Sequence, residues 1–375
     1  MASVEWGEYK LDDLFEKVKY KKLKYKASEL RKQPDEKYVL PALTAGIDNQ
    51  GLNNYVPVDG ATILQDVISI SANGANTGVT FFQTNAFTIL QDAYAIDWKQ
   101  KSRKFTRRSG LFIASIINSV LHGKYEWTNK ANWGKVREEY IALPKLGNQI
   151  DFDFMDSFIA ELEAERIAKL EAYLKVSGLD NYELSVEELK ALRDYDSIDF
   201  EEFEYQEVFD KIVQGRRLKK DDQIPGDIPF VMSGVTNTGI VNFISNPVAS
   251  FPRNSITLDI FGNAFYRPYA YGAGDDTGVY WNEENEYSKE VMLYITSSMS
   301  RSVAGKYDYG NKLRSSKSKN IKMKLPAVSK GVLDTDYMRI FTNAVMKLAI
   351  KDVVQYTNER IETTKEVVTS HNTNY

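Results

Sequence analysis

The two halves of this 375-residue chain repeat one another in the same order, and this repetition restricts the possible folds more than any other feature. Residues 123–130 (GKYEWTNK) and 305–312 (GKYDYGNK) are identical at five of eight positions and lie 182 residues apart. We call these segments the twin loops. A repeat period of about half the chain predicts two copies of one domain rather than a solenoid of short repeats.

Other matching segments extend the repeat through both halves. They lie at residues 15–18 and 209–212, 49–51 and 237–239, 68–74 and 256–262, 111–113 and 293–295, and 143–144 and 325–326. The offset falls from 194 to 182 without rising, as expected for two copies that differ by a few loop deletions. Short β-branched and aromatic runs between Asn and Gly turns predict strands. The segments at Leu111 and Leu293 predict the start of a short helix in each half.

After each Leu-Pro pair at 143–144 and 325–326, the apolar spacing changes from that of a strand to that of a helix. The periodicity predicts long helices from about Phe152 to Lys175 and from about Asp334 to beyond Ile361. A stripe at spacings of three and four residues predicts that the helices serve as a spacer and pack against each other. The stripe residues are Met155, Phe158, Leu162, Met338, Phe341, Val345 and Leu348.

These patterns predict an α+β fold, in which two similar β-rich domains are separated by two long helices. The predicted ranges are 1–147 for the first domain, 148–178 for the first helix, 179–202 for an acidic connector, 203–330 for the second domain and 331–375 for the second helix.

The charge of the chain is unevenly distributed. The net charge is −4, but residues 151–210 hold 19 Asp and Glu against 5 Lys and Arg, so this segment carries −14 and the rest +10. Basic stretches contain both twin loops, and basic turns follow the opening segments at residues 19–26 and 215–220. A polyanion responds to the local field more than to the net charge, so the pattern is compatible with nucleic-acid binding.

The composition argues against several classes of enzyme. The chain has no Cys and only two His, which excludes disulfides, Cys-based zinc sites and a Cys nucleophile and makes a Ser-His-Asp triad hard to build. No phosphate-binding loop of the Walker A type is present, and no Asn-Pro-Pro-Tyr or Asn-Pro-Pro-Phe motif of adenine methyltransferases occurs. Without a signal peptide or an apolar run of about 18 residues, we expect a cytoplasmic chain with no membrane contact.

Candidate DNA contacts divide into residues shared by the copies and residues that differ. The best phosphate-binding candidates are Lys124, Lys130, Lys306, Lys312, Arg314 and Lys317. Tyr125 and Tyr307 fit either a DNA contact or a core aromatic. Asn129 and Asn311 could pair with an adenine edge or satisfy the backbone of their own turn.

If the two copies bind different sequences, the residues that read bases should differ between them. The candidates in the first half are Asn73, Asn76, Thr77, Arg103, Arg107 and Arg108. Those in the second half are Asn263, Tyr266, Arg267 and Arg301. No catalytic or metal-binding residue is predicted.

The layout of the chain resembles the DNA specificity subunit of Type I restriction–modification systems. The resemblance covers nearly the whole chain and depends on the repeated openings, the Gly-rich turns and the Leu-Pro exits into long helices. It implies that each β-rich domain is a target recognition domain for one half of a split, asymmetric site in double-stranded DNA. It also implies that the two helices pack as an antiparallel coiled coil, which sets the distance between the half-sites.

In that family the specificity subunit binds methyltransferase (M) subunits, two in number, and restriction (R) subunits, which are motor–nucleases, join the complex. The resemblance therefore implies a non-catalytic chain without its own cofactor. S-adenosylmethionine, ATP and Mg²⁺ would belong to the partner subunits.

Three alternatives remain open at this point. The chain could belong to a related type II system in which the nuclease is fused to the methyltransferase, or it could be a nuclease that acts on DNA alone. It could also be an interaction protein in which the paired helices form the functional surface.

Overall fold

The computed structural model describes residues 4–25, 29–100 and 105–372. The chain divides into two compact units, Met1–Lys169 and Leu170–Tyr375. Each unit contains one β-rich domain, so the predicted α+β class is confirmed.

The first domain contains three sheets and three short helices, and a long helix follows it. Its elements are β1 (Glu5–Lys10), α1 (Leu11–Leu14), β2 (Phe15–Lys17), β3 (Leu40–Leu43), β4 (Asn54–Val56), β5 (Val67–Ser71), β6 (Thr80–Gln83), β7 (Thr88–Ile89), β8 (Ala93–Trp98), α2 (Arg107–Leu121), α3 (Trp133–Val136), β9 (Tyr140–Leu146), β10 (Gln149–Ile150) and α4 (Phe152–Val176). The strand orders are β1-β9-β10, β2-β8-β5-β6 and β4-β3-β7.

The second domain repeats this arrangement after a short connecting helix. Its elements are α5 (Val186–Arg193), β11 (Phe200–Glu204), α6 (Tyr205–Val208), β12 (Lys211–Gln214), β13 (Pro225–Val231), β14 (Ile240–Ile244), β15 (Ser250–Phe251), β16 (Ser255–Asp259), β17 (Ala264–Arg267), β18 (Tyr271–Ala273), β19 (Thr277–Trp281), α7 (Lys289–Val303), α8 (Ser315–Ser318), β20 (Lys322–Ser329), β21 (Val332–Leu333) and α9 (Thr335–Asn372). The strand orders are β11-β20-β21, β12-β19-β16-β17 and β14-β13-β18-β15.

The duplication extends to the pairing of individual residues. In the only parallel pair described in the first domain, β3 and β7, Ala42 is paired with Thr88, and in β13 and β18 Phe230 is paired with Gly272. Ala42 precedes Phe230 by 188 residues, and Thr88 precedes Gly272 by 184 residues. Both separations lie within the range of offsets that the sequence repeat shows. The second domain adds only the short edge strand β15 to the shared topology.

Helix α2 covers the four-stranded sheet of the first domain and completes its core. The side chains of Phe112, Ile113 and Ile117 are buried at helical spacing and pack against Ile68 and other residues of the sheet. Gly110 allows the close approach, because a Cβ atom there would lie 2.5 Å from the ring of Phe82.

The predicted helix starts at Leu111 and Leu293 are wrong by four residues, since α2 begins at Arg107 and α7 at Lys289. Thr106 accepts a hydrogen bond from the Ser109 amide and so caps α2. Ser288 caps α7 in the same way. These N-cap residues determine the starts, because each satisfies a backbone N–H that has no partner within the helix.

The long helices α4 and α9 begin within one residue of their predicted starts. Met155 and Met338 are fully buried in the hydrophobic cores of their own domains, which corrects their assignment to a helix–helix stripe. Phe341 stacks on Tyr195 with ring centres 5.1 Å apart. The other stripe residues, Phe158, Leu162, Val345 and Leu348, are between 39% and 50% exposed. The packing of the two helices against each other stays a prediction.

Candidate nucleic-acid interface

Several connections of the second domain converge at one end, which we call the second loop end. They are residues 215–224, 232–239, 260–263, 274–276 and 304–314. The carboxylate of Asp259 accepts hydrogen bonds from the Gly234 amide at 3.0 Å and from the Asn263 side-chain amide at 2.9 Å. Asp276 accepts from the Ser233 hydroxyl at 2.8 Å. Two acidic side chains therefore fasten three loops together. Asn263, a predicted base reader, is one of the fastened groups.

The second twin loop joins the same assembly through its last residues. The Leu313 amide donates to the Ile260 carbonyl at 2.9 Å. The guanidinium of Arg314 donates to the carbonyl of Asp275, which also accepts from the Gln214 side chain at 3.0 Å. The guanidinium of Arg314 therefore braces two loops, and its contact with phosphate stays a prediction.

The first domain has an equivalent first loop end, formed by the connections at residues 18–25, 44–53, 72–79, 90–92 and 122–132. The side-chain amide of Asn73 donates to the Asp92 carboxylate at 3.0 Å, and the buried Thr77 hydroxyl accepts from the Ala131 amide at 3.2 Å. Asn76 is partly buried in the same loop. Asn73 and Thr77 hold loops together, so these two predicted readers fit a structural role better than a base contact.

The first twin loop is anchored by one carboxylate. Glu139 accepts from the hydroxyl of Tyr125 at 2.7 Å and from the ammonium of Lys124 at 2.5 Å. Tyr125 is only 8% exposed, and burial raises the pKa of its hydroxyl. Burial also raises the pKa of Glu139, but the hydrogen bonds from Lys124 and Tyr125 outweigh this effect and hold it below its usual value. For Tyr125, the structure therefore favours the core-aromatic alternative over a DNA contact.

The second twin loop lacks this carboxylate. Ile321 lies at the position that corresponds to Glu139 at an offset of 182. Lys306 instead donates to the Ser302 carbonyl at 2.7 Å, and Tyr307 is partly buried against the second core. The ammonium of Lys306 therefore keeps its charge uncompensated, whereas that of Lys124 is neutralised by an acid.

The two Asn residues of the twin loops make local contacts. The side-chain oxygen of Asn129 accepts from the Lys135 ammonium at 2.7 Å. The side-chain amide of Asn311 donates to the Lys306 carbonyl at 3.2 Å. For Asn311, the structure thus favours the satisfied-turn alternative over a contact with adenine.

Two exposed aromatic residues at the tips of the twin loops were missed as site residues. Trp127 is 69% exposed and Tyr309 is 80% exposed. The Lys312 ammonium lies 4.2 Å from the centre of the Tyr309 ring, and Lys130 is exposed. The signal was available in the sequence, since both copies place an aromatic residue at the same position of the repeat.

Most of the predicted arginine contacts have other partners. Arg107 and Arg108 both form ion pairs with Glu163 of α4, and the Arg108 Nε–Glu163 Oε2 distance is 3.1 Å. Burial raises the pKa of Glu163, but these two hydrogen bonds outweigh it and leave the pKa below its usual value. The two arginines brace α2 on α4. Their contacts with DNA stay a prediction. Arg103 lies outside the described residues, and Arg301 and Lys317 are exposed.

Arg267 is 1% exposed and is not available at the surface. Its guanidinium donates to the hydroxyls of Thr257 and Thr238, each at 3.0 Å. The structure therefore corrects the prediction that Arg267 reads bases. Tyr266, partly buried, donates its hydroxyl to the Asn254 side chain at 3.1 Å.

Exposed cations that no candidate set included lie in two basic segments, residues 19–25 and 215–220. The cations are Lys19, Lys21, Lys22, Lys24, Arg216, Arg217, Lys219 and Lys220, and none of them forms an ion pair with another described residue. The first segment lines a cavity together with Asp92, and the second lines one together with Asp275. Both segments therefore belong to the loop ends, where they supply uncompensated positive charge.

Within the described ranges, no group of three or more His, Asp or Glu side chains is arranged to hold a metal ion. The helices of those same ranges include none with the length and apolar character needed to cross a bilayer.

A duplicated β-rich domain with a cationic loop end in each copy defines a class of two-domain binding protein. The model of the family described as "Type I restriction modification DNA specificity domain" matches residues 3–172 and again residues 197–356. The chain belongs to this family, and each match covers one domain with most of α4 or the first part of α9.

Two known proteins are similar to the chain. A curated protein from Heyndrickxia coagulans, named "Type II restriction enzyme BgcI specificity subunit S.BcgI", is 28% identical over 232 residues, which is 61% of this chain and 64% of that protein. The matched region thus spans less than two thirds of the length of this relative. The crystal structure of a Type-I restriction-modification system S subunit from M. genitalium has a TM-score of 0.59 at 13% identity and covers 99% of this chain and 96% of that one. This second likeness shows a shared fold.

Proposed function

We propose that the chain is the DNA specificity subunit of a restriction–modification complex. Each β-rich domain would be a target recognition domain that binds one half of a split, asymmetric site in double-stranded DNA. The observation that carries this proposal is the family match over both domains, each with exposed, unpaired cations at its loop end. Such cations bind phosphates without regard to sequence and hold a protein in register on the duplex.

The duplication gives the proposal a physical reason. A short half-site is bound weakly by one domain, but a linked second domain makes its contact within the same complex and at a high effective concentration. We propose that α4 and α9 pack as an antiparallel coiled coil that fixes the spacing of the half-sites. With 25 and 38 residues, they are about 37 Å and 57 Å long at 1.5 Å per residue.

In this proposal the chain performs no catalysis. It would act in the cytoplasm and place a target adenine within reach of methyltransferase subunits, two per complex, which flip the base and use S-adenosylmethionine. Restriction subunits with motor and nuclease activity would join, and they would supply the sites for ATP and Mg²⁺. Family membership supports these partners, and no step of the chemistry is assigned to residues of this chain.

A second candidate assembly is a type II enzyme with the nuclease fused to the methyltransferase. The similarity to the type II specificity subunit from Heyndrickxia coagulans favours it. Co-purification of the chain with its cellular partners distinguishes the two candidates. A single fused partner would support the type II assembly, and separate M and R chains would support Type I.

The methylated motif in the DNA of the host tests the proposal. We expect two short specified blocks separated by a fixed number of unspecified base pairs. Footprinting of the complex of the chain with its methyltransferase on that motif should then protect both blocks. Protection of one block only, or of neither, would contradict a bipartite reader.

The arrangement of the helices has a test of its own. The chain has no native Cys, so pairs of introduced Cys can be spin-labelled without background. As a label on α9 is moved toward the end of that helix, the nearest position on α4 should move toward the start of α4. A shift in the same direction on both helices would contradict antiparallel packing.

A further inference from the structure

A second pair of matched loops lies at the loop ends, and we call them the left-handed turns. They are residues 46–51 (GIDNQG) and 234–239 (GVTNTG). Each contains two consecutive non-Gly residues with positive φ, at 46° and 56° for Asn49 and Gln50, and at 48° and 52° for Asn237 and Thr238. This conformation costs energy, most of all for a β-branched Thr, and it persists only where the surroundings enforce it.

Both turns are closed by the same backbone contact. The Thr44 amide donates to the Gly51 carbonyl at 3.0 Å, and the Met232 amide donates to the Gly239 carbonyl at 2.9 Å. A Cβ atom on Gly51 would lie 2.6 Å from the Thr44 carbonyl oxygen, and one on Gly239 would lie 2.6 Å from that of Met232. Glycine is therefore required at the end of both turns.

In the first domain, a buried side chain holds the turn from below. Gln83 is 2% exposed, and its side-chain amide donates to the Gln50 carbonyl at 3.1 Å and to the Ser69 hydroxyl at 3.0 Å. The first of these bonds fixes a strained residue of the turn to the four-stranded sheet of the first domain.

In the second domain, Arg267 makes the same two bonds. In their strands, Gln83 is paired with Val67 and Arg267 with Ser255, so the two occupy matched positions. The Arg267 guanidinium donates to the Thr238 carbonyl and to the Thr257 hydroxyl, the matches of Gln50 and Ser69 at an offset of 188. Two chemically different side chains thus hold the two turns in one geometry.

Burying a guanidinium is expensive unless its hydrogen bonds are well made. No carboxylate forms an ion pair with Arg267 among the residues that the structure describes. Instead, its cation lies 5.4 Å and 5.9 Å from the ring centres of Phe265 and Tyr271. An arrangement this costly, beneath a strained turn, indicates that the position of the turn is functionally important.

The turns present different side chains on matched frameworks. Ile47 and Val235 are 52% and 68% exposed, and the next residues, Asp48 and Thr236, are also exposed. The first turn thus offers an aliphatic group and an anionic acceptor, whereas the second offers an aliphatic group and a hydroxyl. Constant backbone with variable side chains is the pattern expected of elements that read two different half-sites.

We propose that the left-handed turns enter the DNA groove and that residues 47–48 and 235–236 contact base edges. This inference rests on the proposed function. A β-branched side chain can contact the thymine methyl group, a carboxylate accepts from the cytosine amino group, and a hydroxyl can bond with several bases. Gln83 and Arg267 are then positioning residues, which act on DNA only through the turns that they hold.

Exchanging the side chains of residues 47–48 tests whether the left-handed turns contact base edges. The double variant Ile47→Val, Asp48→Thr gives the first turn the pair found in the second. The full chain and this variant are each used to select duplexes from a library with both half-sites randomised. We expect a changed preference in one half-site and an unchanged preference in the other.

An unchanged preference in both half-sites would overturn the inference and leave the proposed function intact. An equal loss of affinity for every sequence would also overturn it, since that result indicates a non-specific contact. Failure of the parent chain to select any bipartite sequence would instead contradict the proposed function itself.

Arg267→Met and Arg267→Gln test the positioning role. The Met variant keeps an unbranched side chain, shorter than that of Arg, and loses all donors, whereas the Gln variant copies the first domain. Because one mismatched base pair ordinarily costs a factor of about 5 to 150, Arg267→Met should lose about tenfold discrimination in the second half-site. Discrimination in the first half-site and affinity for unrelated duplexes should stay within about twofold, and Arg267→Gln should recover part of the loss.

Gln83→Met provides the matched variant in the other domain. We expect it to reduce discrimination in the first half-site only, which keeps the test decisive if Arg267→Met does not fold. Unchanged discrimination in the folded variants, or a loss that is equal in both half-sites, would overturn the positioning role.

Discussion

Replacing Lys306 should weaken DNA binding more than replacing Lys124, although both occupy the same position of the repeat. The Lys124 ammonium is 2.5 Å from the Glu139 carboxylate, so it can reach a phosphate only after the ion pair breaks. Among the described residues, the Lys306 ammonium is held by the Ser302 carbonyl alone, which carries no net charge. We therefore expect Lys306→Ala to remove one phosphate contact and Lys124→Ala to remove little.

The size of the effect follows from counterion release. Each phosphate neutralised on duplex DNA contributes about 0.9 to the slope of log affinity against log salt concentration. Lys306→Ala should therefore flatten the slope by about 0.9, and Lys124→Ala should leave it almost unchanged. Fluorescence anisotropy with a labelled duplex, over about 50 to 200 mM salt, measures both slopes. The loss should be the same on cognate and unrelated sequences.

Glu139→Gln supplies a matched control, because it keeps an acceptor for Tyr125 and removes the charge opposite Lys124. It should make the slope steeper, by up to about 0.9, as Lys124 becomes available. Equal effects of the two Lys variants would refute the reasoning, as would an unchanged slope for Lys306→Ala.

Three further predictions concern other parts of the chain. Glu188→Gln should lower the free energy of unfolding by about 1–2 kcal/mol at pH 7, because a largely buried carboxylate loses its 2.8 Å ion pair with Lys347. Burial raises the pKa of Glu188, but its hydrogen bonds outweigh this effect and leave the pKa below its usual value. The difference in unfolding free energy between the parent chain and the variant should therefore be present above about pH 4.5 and disappear as pH falls through the lowered pKa. Denaturant titrations at several pH values measure this difference. Trp127→Ala and Tyr309→Ala should reduce affinity for DNA without flattening the salt slope, since an aromatic ring neutralises no phosphate; a flattened slope in the anisotropy assay would contradict this. Gly110→Ala should destabilise the first domain by about 1–3 kcal/mol, because the added methyl group would lie 2.5 Å from an aromatic ring; an unchanged melting temperature would show that the helix can move away.

The architecture could be predicted from the sequence because its signals are local or repeated. The change of apolar period after each Leu-Pro pair placed the starts of α4 and α9 within one residue. The ordered matches between the halves predicted the duplication, which the strand pairing confirms. The starts of α2 and α7 lie about one turn before the predicted ones, because the capping residues Thr106 and Ser288 and not the apolar pattern determine them.

The candidate site was less predictable, because the state of a cation depends on partners that are distant in sequence. Glu139 is 15 residues from Lys124, and Glu163 is 55 residues from Arg108, so no local pattern reveals that these cations are paired. The correspondence of Gln83 with Arg267 was also hidden, because the residues differ and only strand register aligns them. By contrast, the exposed cations of residues 19–25 and 215–220 were visible as charge runs.

In both domains, the first strand is hydrogen-bonded to the longer strand of the hairpin that precedes the long helix. Glu5 of β1 is paired with Lys145 of β9, and Phe200 of β11 with Pro326 of β20. Strands paired in this way are about 5 Å apart, so the polypeptide enters and leaves each domain at nearly the same point. We therefore expect that such a domain can be replaced as a cassette without disturbing the neighbouring helices. Recombination at these two strands would therefore give a descendant a new half-site while its other half-site is inherited unchanged.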